Sequence, residues 1–142
     1  MIATYPRNIE APSDFAEQLN GKRNEIPTSK LPTKYPLCDI GTITVKKYSE
    51  LIRGAKSIVV SGPMGVFENK QFMYGTARVF EAIASSKAFS LIGGGHSIAA
   101  VEELGLSKKM SYISTAGGAL IEFLMGEQLP GVVALEKAAA RT

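Results

Sequence analysis

Cysteine, histidine and long apolar runs are all scarce in this chain, and each scarcity closes off a class of chemistry. A single cysteine, Cys38, and a single histidine, His96, occur among 142 residues. One cysteine excludes an internal disulfide and any multi-cysteine metal site, and it fits a reducing compartment. Cys38 itself reads as a small core residue. Uninterrupted apolar stretches never reach about eighteen residues, and the opening MIATYPRNIE lacks the apolar segment of a signal peptide. The expectation is a soluble, cytoplasmic protein without a membrane partner. Charge of one sign is lacking too: sixteen Lys and Arg against thirteen Asp and Glu leave a net charge of +3, spread along the sequence. That balance gives no nucleic-acid or membrane footprint, while small anionic ligands remain open.

What is present has the make-up of one globular domain, with 45% hydrophobic and 20% charged residues. Five of the seven prolines, Pro6, Pro12, Pro27, Pro32 and Pro36, fall within residues 1–36. They disfavour helix and mark an extended segment belonging to the same domain as residues 37–142. Within it, FAEQL and KRNEI flank Asn20-Gly21, a dipeptide suited to a two-residue turn with positive φ at both positions, so a β-hairpin is expected over residues 15–26.

From residue 37 onward, short apolar runs alternate with segments of helical period. LCDI is the first run. Thr44 then reads as the cap of a helix, VKKYSELIRGA, with Val45, Tyr48, Leu51 and Ile52 on one stripe. SIVVSG, FSLIGG and MSYIST read as strands. Helices are expected near residues 70–86, from Ser97 to Leu104 with a stop at Gly105, and over GALIEFLMG with a stop at Gly126. The fourfold alternation predicts an α/β fold: a parallel sheet with helices on both faces, three layers deep, with the hairpin at its N-terminal side.

Two strand ends open into helices through glycine-rich turns, in FSLIGGGHSIAA and MSYISTAGGALIEF. In a parallel sheet both turns lie at the carboxyl ends of the strands, where ligands of such folds bind. Each offers backbone N–H groups and the positive end of a helix dipole, which suits phosphate. Close packing of helix on strand is the other reason for bare backbone here. Gly93 and Gly95 match only half of a dinucleotide fingerprint, since Ile98 stands at the third small position, and no P-loop pattern occurs. His96 starts its helix with no Asp, Glu or Cys close by in sequence, which suits a polar or capping residue better than a metal ligand or a base; no metal site is expected. A third turn, GPMGVFE at residues 62–68, sets the apolar Val66 and Phe67 beside the Glu68 carboxylate. This arrangement suits ribose hydroxyls and a base, although a solvated glutamate on a turn looks the same.

Taken in order, SGPMGVFE, QFMYGTARVFEAIA, LIGGGHSIAAVEELG and SYISTAGGALIEFLMGEQLPGVVAL resemble the C-terminal, nucleotide-binding domain of phosphoglycerate kinases, especially the archaeal type. The likeness runs over about residues 9–135, and IEAPSDF and DIGTIT look like the family's LP-x-D and DIG-x-x-T segments. The resemblance implies phosphoryl transfer between 1,3-bisphosphoglycerate and ADP, with ATP/ADP and Mg²⁺ bound. By motif match, Glu68 binds the ribose hydroxyls and Gly65 and Val66 lie against the nucleotide. Gly93, Gly94 and Gly95 face the phosphates with His96 and Ser97, while Gly117 and Gly118 stabilise the phosphoryl group in flight.

Departures from the family pattern are local and global. His96 stands where many members carry an Asp that helps to hold Mg²⁺, Ala116-Gly117-Gly118 replaces a triple glycine, and Ser61 replaces a frequent Asn. DIGTIT lacks the Pro-Lys often found inside that segment. The family enzyme is also about three times as long and works across a closing cleft. The domain that holds 3-phosphoglycerate, and the GAK-x-x-x-K lysines of the nucleotide domain, have no counterpart here; GAK at residues 54–56 belongs to another place in the pattern. Negligible turnover by this chain alone is therefore expected, with self-association through surface left open. A non-catalytic nucleotide-binding or interaction module of the same fold is the competing expectation.

Overall fold

The computed structural model describes residues 7–141, so Pro6 of the proline-rich segment lies outside the described residues. Strands β1 (Asp14–Leu19) and β2 (Lys22–Pro27) form the expected hairpin, paired from Asp14↔Pro27 to Leu19↔Lys22. Asn20 and Gly21 both take positive φ, 50° and 75°, as the two-residue turn demands. The run LCDI becomes β3 (Leu37–Ile40), but it pairs antiparallel with β1 and so completes a sheet of order β2-β1-β3. The expectation that it opens the parallel sheet is thereby corrected: four residues of apolar run define a strand without defining its neighbour.

Helix α1 (Thr42–Gly54) starts earlier than expected, and Thr44 is not its cap. Gly41 occupies the N-cap position, and the free N–H groups of the first turn are satisfied by two carboxylates from the hairpin. Asp14 accepts the N–H of Ile43 at 3.0 Å and of Thr44 at 2.7 Å, and Glu25 accepts the N–H of Thr42 at 3.1 Å. Both carboxylates also sit at the positive end of the helix dipole. A Cβ on Gly41 would lie 2.2 Å from the Asp14 carboxylate, so only glycine leaves room for this cap. Thr44 is instead fully buried, donating its hydroxyl to Asp14.

The second sheet has three parallel strands in the order β4-β5-β6: β4 (Ser57–Ser61), β5 (Phe89–Gly93) and β6 (Tyr112–Ser114). Between them run α2 (Tyr74–Ser85) and α3 (Gly95–Glu103), which start four residues later and two residues earlier, respectively, than the apolar period suggests. After β6 come α4 (Gly118–Leu124) and α5 (Pro130–Ala139). Sequence reading passed over α5, although Pro130 at its first turn is a recognised start signal.

One face of the parallel sheet carries the core. Val60 and Ile92 pack there with Val45, Phe80, Ile83 and Val101, of which Phe80, Ile92 and Val101 are fully buried. Alternation sends Val59, Phe89, Leu91 and Tyr112 to the opposite face. Helix α4 lies on that side: a Cβ on Gly93 would meet Leu120 Cδ2 at 2.5 Å. Helices thus flank both faces, but cover of the second is partial, leaving Val59 50%, Phe89 55% and Tyr112 57% exposed. Cys38 is half-buried rather than a core residue, its thiol 3.6 Å from the Pro36 carbonyl.

Arg23 and Asp39 join the antiparallel sheet to α2. Arg23 donates to Asp39 Oδ2 at 2.7 Å and to the Ile40 carbonyl at 2.9 Å, and its guanidinium stacks over Tyr74 at 5.2 Å. Asp39 Oδ2 also accepts the N–H of Gly75 at 2.8 Å, near the start of α2. The hairpin, β3 and α2 are therefore fixed by one buried carboxylate.

Candidate functional site

Parallel pairing aligns Ser61, Gly93 and Ser114 in one row, so β4, β5 and β6 end at the same level. All three glycine-containing turns leave from that row, as the sequence predicts. The turn after central β5 lies between the other two.

At this central turn Gly94 is the N-cap of α3 with φ 85°, a conformation that a side chain would strain. Gly95 and His96 are exposed in the first helical turn, and nothing lies within 4 Å of where a Gly95 Cβ would stand. Ser97 is buried, its Oγ accepting the N–H of Gly62 at 2.6 Å. Together with Ser61 and Gly62, these residues line a hollow of about 230 Å³. Free N–H groups, a helix start and no carboxylate make it chemically suited to an anion. Gly93 sits below this hollow, buried, with the space of its missing side chain filled by Leu120.

The loop after β4 is held from three directions. Its Gly62 N–H goes to Ser97 on α3, its Met64 N–H to Thr76 Oγ1 on α2 at 3.1 Å, and its Val66 N–H to the Cys38 carbonyl on β3 at 2.8 Å. Gly65 has no room for a side chain, because a Cβ would stand 2.5 Å from the Cys38 carbonyl oxygen. With Val66, Phe15, Leu37 and Met64 it borders a second hollow of about 200 Å³. Phe67 is buried and anchors the loop, which leaves Val66 45% exposed and Glu68 exposed beside it.

After β6, Gly117 takes φ 56° as the N-cap of α4, and Gly118 opens that helix. Added Cβ atoms at Gly117 and Gly118 would meet nothing within 4 Å. The expected residues thus share one edge of the sheet but not one cavity: Gly94, Gly95, His96 and Ser97 line the first hollow, Gly65 and Val66 the second, while Glu68, Gly117 and Gly118 stand outside both. Sequence reading missed Thr76 and Asp39 as supports of the site. Thr76 and Asp39 act across long sequence separations and give no local signal. Among the described residues no group of three His, Cys, Asp or Glu is placed to hold a metal, and no helix is long and apolar enough to cross a membrane.

Comparison with known proteins agrees with this architecture. The family model for phosphoglycerate kinase matches residues 2–127. The phosphoglycerate kinase of Methanothermus fervidus is 49% identical over 138 residues, covering 97% of this chain and 33% of that protein. That of Thermococcus kodakarensis is 47% identical over 136 residues, covering 93% of this chain and 33% of its own length. The crystal structure of phosphoglycerate kinase from Pyrococcus horikoshii OT3 superposes with a TM-score of 0.86 at 42% identity, over 99% of this chain and 36% of that one. The Coxiella burnetii phosphoglycerate kinase structure gives a TM-score of 0.81 at 35% identity, over 88% and 34% of the two chains. This chain spans about a third of the length of these curated relatives. It belongs to the phosphoglycerate kinase family.

Proposed function

We propose that this chain is the C-terminal, nucleotide-binding portion of a phosphoglycerate kinase, serving phosphoryl transfer between 1,3-bisphosphoglycerate and ADP. The observation that carries this reading is the alignment of three glycine-bearing turns at one sheet edge, each starting from the same row of residues. Residues 1–36 and 37–142 act as one domain in this account, an assignment supported by Asp14 and Glu25 receiving the first N–H groups of α1.

Glu68 is the acceptor for ribose hydroxyls, with Gly65 and Val66 forming the wall for the nucleoside. Backbone N–H groups at Gly94 and Gly95, with His96 and Ser97, receive the phosphates, while Gly93 provides the close packing beneath them. Gly117 and Gly118 offer bare backbone at the third turn, toward the phosphoryl group as it moves. Such fixed donors stabilise developing charge without reorganising. The family implies Mg²⁺ with the nucleotide. The residues around the central hollow do not fit a magnesium cage, since Mg²⁺ favours carboxylate and water oxygen and none of the six lining residues is acidic. Phosphate recognition by backbone groups is the chemistry these residues supply.

Binding of 3-phosphoglycerate belongs to the part of the family enzyme without counterpart here, and turnover by this chain alone is negligible on this reading. A soluble cytoplasmic setting and no nucleic-acid partner accompany it. The exposed Val59, Phe89 and Tyr112 side chains support self-association of the isolated chain. The test is complementation: the other two thirds of a close archaeal relative, purified separately, are mixed with this chain and assayed for ATP formation. Recovered turnover supports the reading. Nucleotide binding without turnover favours a non-catalytic module instead, for which Ala116 in the third glycine turn is the specific observation.

A further inference from the structure

Ser97 touches both halves of the site. Its Oγ accepts the N–H of Gly62, the first residue of the loop that carries Glu68, and the residue is fully buried. A hydroxyl also has one proton to donate, and no acceptor for the Ser97 proton occurs among the described residues. Ser97 borders the hollow formed with Gly94, Gly95 and His96, so an anionic oxygen seated there is the acceptor this proton lacks.

We propose that Ser97 couples phosphate occupancy of the central turn to the tightness of the loop over residues 62–68. This rests on the phosphate reading given above and deepens it. When a phosphate oxygen accepts the Ser97 proton, the hydroxyl oxygen becomes a better acceptor for Gly62, because hydrogen bonds in a chain polarise one another. The loop is then drawn more firmly against α3 at its first residue. The other two tethers, Met64 to Thr76 and Val66 to Cys38, do not pass through Ser97 and remain unaffected. Ser97 is thus a positioning residue for the root of the loop that carries Glu68 as well as a neighbour of the phosphates. A phosphate-bearing ligand arriving at the central turn firms the first residue of the loop that leads to the nucleoside half of the site.

The test uses inorganic pyrophosphate, which has phosphates and no ribose, titrated into the full 142-residue chain. Amide shifts at Gly95 and His96 report occupancy, and hydrogen exchange at the Gly62 amide reports the tether. Saturating pyrophosphate is expected to slow exchange at Gly62 by about fivefold, the low end of couplings between linked sites, without a matching change at Met64 and Val66. In Ser97→Ala, Gly62 exchanges faster from the outset and pyrophosphate leaves it unchanged while Gly95 still shifts; Ser97→Thr, which retains the hydroxyl, restores the response. Shifts at Gly95 with unchanged Gly62 exchange in the wild-type chain overturn the coupling alone. No shift at either turn overturns the phosphate reading and the coupling with it. Should Ser97→Ala fail to fold, the wild-type comparison of Gly62 with Met64 and Val66 still decides.

Discussion

Arg23 and Asp39, sixteen residues apart, form a buried ion pair at 2.7 Å that ties the N-terminal hairpin to the strand beneath the Glu68 loop. The Asp39 side chain is completely shielded from solvent, and it holds the Gly75 N–H as well. Asparagine there leaves the Arg23 guanidinium without a countercharge, and its NH2 must face either the Arg23 and Gly75 donors or the Ile40 N–H. Asp39→Asn is expected to destabilise the chain by about 3 kcal/mol, the cost of breaking a buried pair from one side. Urea denaturation followed by circular dichroism measures it, and an unchanged midpoint contradicts the role given to this pair.

Gly41 faces a stricter demand. A methyl group there would stand 2.2 Å from the carboxylate that caps α1, so Gly41→Ala must displace Asp14 from the N–H groups of Ile43 and Thr44. A loss of about 1–2 kcal/mol is expected, the usual worth of a helix cap. In an Asp14→Ala background the same substitution should cost much less, because the cap is already gone; a double-mutant cycle by urea denaturation reads the difference.

Acid should act first at this same junction. Burial raises the pKa of Asp14, but hydrogen bonds from Thr44 and Ile43 outweigh it, and the carboxyl ends below its ordinary value. Glu25 is lowered likewise, burial being outweighed by the Thr42 N–H and hydroxyl and by Arg23. Groups lowered in the folded state stabilise it above their ordinary pKa, and that stability is lost as the pH falls through the folded-state values. Stability is therefore expected to hold at neutral pH and to decline from about pH 4 downward. Asp14→Ala should flatten that decline in urea midpoints measured across pH.

Much of this was legible because the residues concerned impose local conformation. Asn20-Gly21 announces its hairpin through positive φ, and Gly94 and Gly117 mark the strand-to-helix turns for the same reason. The partner of LCDI was not legible, since β3 and β1 meet through backbone bonds that any short apolar run can make. Nor was the cap of α1: Asp14 lies about thirty residues before Ile43 and Thr44, and Thr44 supplies the usual local cap signal while being buried. The segments IEAPSDF and DIGTIT, which the sequence offered only as family likenesses, turn out to meet each other, Asp14 of one holding the helix that begins inside the other. Within the triple glycine the roles divide in a way spacing cannot reveal, with Gly93 packed under Leu120 and Gly95 facing open space.

That division makes its own prediction. Gly93→Ala forces a methyl against Leu120 Cδ2, an overpacking expected to cost about 1–3 kcal/mol. Leu120→Ala introduced alongside it should recover part of the loss, because the clash is with the far end of that leucine. Thermal unfolding of the two single variants and the double variant measures the interaction. Strictly additive losses contradict a direct contact.

The partly covered sheet face makes another. Phe89 and Tyr112 stand more than half exposed with Val59 beside them, and the outer edges of β4 and β6 are unpaired among the described strands. Sedimentation velocity should detect concentration-dependent association of the isolated chain. Replacing Phe89 and Tyr112 together by Asp should shift it toward monomer without altering the glycine turns.

A nucleotide site at these turns is tested by titrating MgADP into the isotopically labelled chain and following its amide NMR spectrum. Shifts are expected to gather at Gly65, Glu68, Gly94, Gly95, Gly117 and Gly118, on the edge where the three parallel strands end. A dispersed spectrum that MgADP leaves unchanged, or shifts confined to the face of Phe89 and Tyr112, contradicts a nucleotide site at these turns.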